Sequence, residues 1–333
     1  MKRIGNLIED AASLENLVHA HYRAKRGKYW KPEVLRFSNK LSENLNKLQA
    51  GILNGSVEVG DYHYFTIYDP KERRICAASY PERVLHHALM RVCDPYFESY
   101  QISDSYATRK GKGTFKAVDR AWGFQKKYSF FLKLDVRKYF DSIDHAILLN
   151  MLCRRFKDAR LLALFKRILG SYHTGTGKGL PIGNLTSQYF ANYYLGLLDH
   201  RLKETHRVKA YVRYMDDFVV WHDDKSWLQA LAQEITAFLE THLALTLKTC
   251  RVDSVKNGLP FLGFRLFPNK KILSARSKKR YARKMQSLAE ELLSGTISQA
   301  KYQARATALT AFAEKGYSLK FRQNINLRCK IPE

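Results

Sequence analysis

Two adjacent carboxylates, Asp216 and Asp217, separate two apolar runs, Ala210 to Tyr214 and Phe218 to Trp221, that otherwise read as a half-buried β-hairpin. A structural hairpin favours Asn-Gly or Asp-Gly at its turn, where positive φ is needed. Charged side chains against apolar neighbours cost free energy unless they are paired or bound to metal. The chain must therefore fold so that something holds these charges, and a divalent cation is the natural candidate.

Lys and Arg exceed Asp and Glu to give a formal net charge of +26. A field of that size repels itself without an anionic partner, and nucleic acid is the partner expected. Basic and aromatic residues interleave in the runs Tyr22 to Lys31 and Arg276 to Lys284. Backbone phosphates and stacked bases could both be served there, with a solvated helix face as the alternative reading. Neither run carries a strong apolar face, so membrane attraction is the weaker competitor. No apolar run approaches the roughly 18 to 20 residues of a spanning helix. The start, Met1 to Asn6, lacks the apolar stretch of a signal peptide, so a cytoplasmic protein with reduced thiols and no membrane contact is expected.

Helical spacing places two helices near the start, through Leu14, Leu17, Val18 and Tyr22 and through Leu41, Leu45, Leu48 and Ile52. Tyr62 to Ser79 is β-rich around an Asp69-Pro70-Lys71-Glu72 turn, and Pro81 then opens a helix. Phe130, Leu132 and Leu134 alternate with Phe131, Lys133 and Asp135, which predicts a strand with a carboxylate at its end. Helices follow at about 143–153, 159–169, 185–202 and 227–242, with a loop at 175–183 and a tight strand pair at 259–266. After about Ser274 the chain turns helical and basic. This alternation suggests an α+β sheet with helices on one face, the arrangement of the ferredoxin-like split βαβ unit.

Asp135 and the Asp216 hairpin could meet on adjacent strands of one sheet. Carboxylate oxygens are hard ligands suited to Mg2+, and two such ions about 3.5 to 4 Å apart would activate a hydroxyl and stabilise a leaving pyrophosphate. Successive strand side chains point to opposite faces, so Asp216 is expected to ligate metal directly and Asp217 to play a supporting or partial part.

Five ordered motifs carry a resemblance. Asp135 with Phe140, the run Gly179 to Gln188, the Tyr214-Met215-Asp216-Asp217 box, Lys248-Thr249 and Phe261-Leu262-Gly263-Phe264 resemble the motifs of retroelement reverse transcriptases, over about Tyr62 to Leu266. The Ile182-Gly183 and Ser187-Gln188 pairs, where most members carry Gln-Gly and Ser-Pro, are similar to the reverse transcriptases of diversity-generating retroelements, which misincorporate opposite template adenines. Ile182 cannot hydrogen-bond near the nascent base pair as Gln does, which would weaken discrimination; a neutral packing variant is the alternative.

The resemblance implies a right-hand polymerase fold: an N-terminal helical extension at 1–60, fingers at 61–130, a palm at 131–266 with a fingers insertion near 145–180, and a basic helical thumb at 267–333. It implies an RNA-directed DNA polymerase with Asp135, Asp216 and Asp217 catalytic, and with these and the Val136 main chain at two Mg2+ ions, for which Mn2+ can substitute. Deoxynucleoside triphosphates would meet Arg73, with Lys71 and Arg74 as alternatives, together with Phe140 as the gate against ribose, Ile182, Gly183 and Lys248. Template RNA and the primer or cDNA strand would meet Arg109, Lys112, Phe261, Leu262, Gly263, Lys278, Lys279 and Arg280. The segment after Leu266 suffices for a thumb but not for a further nuclease or maturase domain, so a small basic accessory protein is expected as partner. A retron, group II intron-like or antiphage reverse transcriptase is the alternative within enzymes, and a non-catalytic RNA-binding scaffold outside them.

Overall fold

The structure is a computed structural model that describes residues 3–68 and 72–329. Asp69, Pro70 and Lys71, the centre of the expected turn and one candidate triphosphate ligand, lie outside the described residues.

Helices α1 (Ile8–Ala12), α2 (Leu14–Ala24), α3 (Pro32–Asn39) and α4 (Leu41–Leu53) come first, followed by the antiparallel pair β1 (Tyr62–Ile67) and β2 (Arg73–Ala78). Then follow α5 (Tyr80–Tyr100), α6 (Thr114–Gln125), β3 (Phe130–Val136), α7 (Tyr139–Ser142), α8 (His145–Arg155), α9 (Ala159–Gly170), α10 (Leu185–Tyr194) and α11 (Gly196–His200). A single π-helical turn, Arg201–Thr205, leads to β4 (Tyr211–Tyr214), β5 (Asp217–His222), α12 (Lys225–Leu243) and β6 (Leu247–Ser254). The three-stranded sheet β7 (Leu259–Phe261), β8 (Phe264–Leu266) and β9 (Lys271–Leu273) precedes α13 (Ala275–Leu293), α14 (Gln299–Ala313) and α15 (Leu319–Arg328). No helix among the described residues is long and apolar enough to cross a membrane. Of the five free cysteines, Cys76, Cys93 and Cys329 are buried, as expected for inert thiols, while Cys250 is exposed.

The chain divides into two compact units. The first comprises residues 1–109, 136–207 and 234–248. Helix α5 runs through it and buries Val84, Leu85, Ala88, Leu89 and Cys93 completely. Around Phe97, the rings of Phe156, Phe190 and Tyr193 stand edge-on with centroids 5.4 to 6.2 Å apart, a geometry that adds to the area they bury. Side-chain caps fix the helix starts: Ser13 accepts from Asn16 N at α2, and Asp144 accepts from Ala146 N and Ile147 N at α8. Asp158 caps α9 through Leu161 N and also accepts from Leu7 N and Ile8 N, tying the first helix to the ninth. Burial opposes its charge, yet these N–H groups hold its carboxyl below the ordinary value.

The second unit comprises residues 110–135, 208–233 and 249–333. Its main sheet has the strand order β4-β5-β3-β6. Phe131, Leu132, Leu134, Phe218, Val219 and Val220 are buried, the near-continuous apolar run of strands covered on both faces. The buried side chain of Gln125 joins three elements: it accepts from Trp221 Nε1 at 2.8 Å and donates to the carbonyls of Val255 and Leu266.

Candidate active site

Strands β3 and β5 run antiparallel with Asp135 directly opposite Asp217 and Lys133 opposite Val219. Because strand side chains alternate, Lys133, Asp135, Asp217 and Val219 share one face of the sheet, and directly opposed residues have Cβ atoms about 5 Å apart. Tyr214 pairs with Asp217 across β4 and β5, so Met215 and Asp216 form a two-residue turn. The positive φ that the turn demands falls on Met215, at 58°, and not on either aspartate. A left-handed conformation at a non-glycine residue costs about 1–2 kcal/mol. Neighbouring contacts hold the turn: the fully buried Arg213 donates to the Met215 carbonyl at 3.2 Å, and Thr114 donates from Oγ1 to Tyr214 Oη at 3.1 Å. Asp216 thus sits at the corner of the hairpin beside the facing pair Asp135 and Asp217.

Lys133, which the sequence reading placed in the strand but not in the site, forms an ion pair with Asp217. Its ammonium also lies 4.9 Å from the centre of the Phe261 ring, within cation–π range. Burial pulls the Lys133 pKa down to about 7, and the negative charges of Asp135 and Asp216 oppose that fall. Three carboxylates therefore surround one ammonium. The available signal was position: Lys133 stands two residues before Asp135 in an otherwise apolar strand.

Among the described residues, no group of three or more His, Cys, Asp or Glu side chains is arranged to hold a metal ion. Asp135 and Asp216 nonetheless fit a hard divalent cation in donor type and in the negative field they already impose on the Lys133 ammonium. Sites for Mg2+ commonly use one or two carboxylates and complete the shell with water and substrate phosphate oxygens. Val136, whose main chain was an expected ligand, closes β3 with its side chain buried.

The expected nucleotide-side residues lie in the first unit. Arg73 is exposed at the start of β2, whereas Arg74 is placed over the Tyr64 ring. Phe140 is half-buried in α7, and its carbonyl accepts from Leu180 N at 2.7 Å. The loop that follows is docked onto β2: Cys76 N donates to the Ile182 carbonyl at 2.8 Å, and Ala78 N donates to Asn184 Oδ1 at 3.1 Å. Gly183 has φ 126°, and a Cβ there would lie 2.9 Å from Ile75 Cγ2 and 3.1 Å from the Cys76 carbonyl oxygen. Arg73, Ile182 and Gly183 thus belong to one strand-and-loop assembly. Lys248 is exposed on β6.

One expectation about nucleic-acid contacts needs correction. Arg109 is not available to a template strand: its guanidinium chelates Glu98 and donates to the carbonyls of Ile102 and Ser105, which makes it a structural lock. A Cβ at Gly263 would lie 2.9 Å from Ser277 Oγ and 3.1 Å from Phe312 Cζ, so the missing side chain also makes room for protein packing. Leu262 and Gly263, with φ 46° and 87°, form the two-residue turn of the β7–β8 hairpin, and Phe261 and Phe264 flank it as a buried pair. Lys112 is half-buried ahead of α6, while Lys278, Lys279 and Arg280 lie on the first turns of α13, with Lys278 over the Phe321 ring and Arg280 over Phe312.

Comparison with known proteins bears on this geometry. Protein YkfC of Escherichia coli (strain K12) is 25% identical over 299 residues, 75% of this chain and 74% of that protein. The group II intron-encoded protein LtrA of Lactococcus lactis subsp. cremoris is 22% identical over 273 residues, 58% of this chain but only 44% of that longer protein. Among solved structures, telomerase from Candida albicans in complex with a fragment of telomeric RNA is similar at a TM-score of 0.45 and 13% identity, over 71% of this chain and 51% of that one. The family model for reverse transcriptase (RNA-dependent DNA polymerase) matches residues 70–266, a span that holds every carboxylate of the site. The chain therefore belongs to the reverse transcriptase family and has that family's right-hand polymerase fold.

Proposed function

We propose that this protein copies an RNA template into cDNA by metal-assisted nucleotidyl transfer. The observation that carries the reading is the register of β3 and β5, which sets Asp135 against Asp217 with Asp216 in the adjoining turn. Bound divalent cations, two Mg2+ or Mn2+ ions, would lower the pKa of the primer 3′-hydroxyl and neutralise the departing pyrophosphate. Asp135 and Asp216 would hold them, with the Val136 carbonyl alongside. Arg73 would grip the triphosphate, for which a fork of parallel donors suits arginine. Phe140 would exclude a ribose 2′-hydroxyl, and Lys248 would donate a proton to pyrophosphate as it leaves. Template and primer would lie along Lys112, the Phe261-Leu262-Gly263 hairpin and Lys278, Lys279 and Arg280, while the Arg109 guanidinium stays locked on Glu98.

The domain reading follows the same frame: an N-terminal extension at 1–60, fingers at 61–130, palm at 131–266 with an insertion near 145–180, and thumb at 267–333. The test is primer extension on an RNA template by the full chain. Deoxynucleotide incorporation should require Mg2+ or Mn2+ and stop with EDTA; metal-independent synthesis would refute the reading.

For the subtype, we favour a diversity-generating enzyme, error-prone at template adenines and working in the cytoplasm with a small basic accessory protein. Ile182, whose carbonyl is fixed by Cys76 while its side chain offers no hydrogen bond, supports this. Ile182→Gln should lower misincorporation opposite adenine by several-fold in sequenced cDNA. An unchanged error spectrum would favour a second reading, a group II intron-like enzyme, which the similarity to LtrA recommends.

A further inference from the structure

Lys133 and Asp217 are an ion pair inside the carboxylate cluster. Both Lys133 Nζ and Asp217 Oδ1 are shut off from water, and among the described residues neither has a hydrogen-bond partner beyond that pairing. A buried charge is tolerated only when compensated, and breaking one partner of such a pair is far more costly than replacing both. Three constraints fix the ammonium: the β3 backbone, the Phe261 ring 4.9 Å away, and the Asp217 carboxylate. Asp217 lies straight across the sheet from Asp135, so without Lys133 it would be the nearest additional ligand for any cation held there.

We propose that Lys133 is a positioning residue whose ammonium, anchored against Phe261, holds the Asp217 carboxylate apart and reserves divalent-cation binding for Asp135 and Asp216. The assignment rests on the polymerase reading of the site. Removing the ammonium would have two opposite effects. The cluster would become more negative and draw a cation more strongly, while Asp217, released, would compete as a ligand and spoil the arrangement needed for transfer. A residue that merely supports the fold would not move affinity and turnover in opposite directions.

The test titrates Mn2+ into the full-length protein without nucleotide or nucleic acid and follows the free ion by electron paramagnetic resonance. Lys133→Met should bind Mn2+ at least about threefold more tightly than wild type, since a like charge has left the site. Its single-turnover incorporation should be slower by about tenfold or more. The double variant Lys133→Met/Asp217→Asn removes the pair together, a change that buried pairs generally survive, and should return Mn2+ affinity to within about twofold of wild type. Unchanged or weaker binding by a folded Lys133→Met protein would overturn the proposal. So would a double variant weakened about tenfold or more, which would make Asp217 a direct ligand. The double variant decides alone if the single one does not fold. Inactive wild-type protein would sink the polymerase reading only, because the Mn2+ titration needs no catalysis.

Discussion

At Gly183 a single methyl group is decisive. Its φ of 126° lies where L side chains are strained, and the space a Cβ needs is already taken by Ile75 and the Cys76 carbonyl. Gly183→Ala should therefore destabilise the protein by about 1–3 kcal/mol, read from the urea midpoint at constant slope. A loss below about 0.5 kcal/mol would mean that the loop shifts freely on β2. Legibility at this scale followed sequence distance. Asp135, Phe140, Ile182 and the acidic pair could be picked out because their own neighbours form motifs. Arg109 stood in just as good a motif, but what decides its role is Glu98, one helix back, which no local pattern points to. Lys133 reads in sequence as an ordinary alternating residue because its meaning depends on the opposing strand. Strand register is a tertiary fact.

Elements fared better where apolar spacing was regular. The two expected N-terminal helices, α2 and α4, the β1–β2 pair, α8, α9, α12 and the β7–β8 hairpin lie within a few residues of their expected places, while the short α1 and α3 add to them. The stretch 185–202 is helical as expected: α10 passes into α11 through Leu195, whose backbone is also right-handed helical, and a π-helical turn follows. At Gly196, where α11 begins, a Cβ would fall 2.5 Å from Tyr100 Cε1, so the ring of a distant helix demands a residue of weak helix propensity there. Helix α6 is a further element beyond those expected: Ala117, Val118, Ala121 and Phe124 recur at helical spacing, but the basic, glycine-containing turn just before them is the stronger local signal. Its role is set by Gln125, which satisfies an indole N–H and two carbonyls in the interior. Gln125→Ala should cost about 2–4 kcal/mol by chemical denaturation, the penalty for orphaned buried polar groups plus a small cavity. A cost under about 1 kcal/mol would show that water replaces the amide.

For the molecule as a whole, two histidines set an acid limit. Burial pulls His21 down to about 4, helped by the charge of Lys25, and burial likewise pulls His87 to about 4, with His86, Arg23, Lys28 and Arg83 adding to it. Both stay neutral in the folded state, while unfolded histidine titrates near its ordinary value of 6.5. Between these values the unfolded chain binds more protons, so stability is full above about pH 6.5 and falls as pH drops toward 4, by at most ~1.4 kcal/mol per pH unit for each histidine. Equilibrium unfolding at several pH values checks this; a flat profile across that window would contradict it. The central claim concerns the carboxylates. Single-turnover addition of one deoxynucleotide to a primer on an RNA template, wild type against Asp216→Asn at saturating Mg2+, tests it most directly. A loss of about a thousandfold or more with primer–template binding unchanged is the predicted result. Incorporation within about tenfold of wild type would remove Asp216 from the chemistry and the account with it.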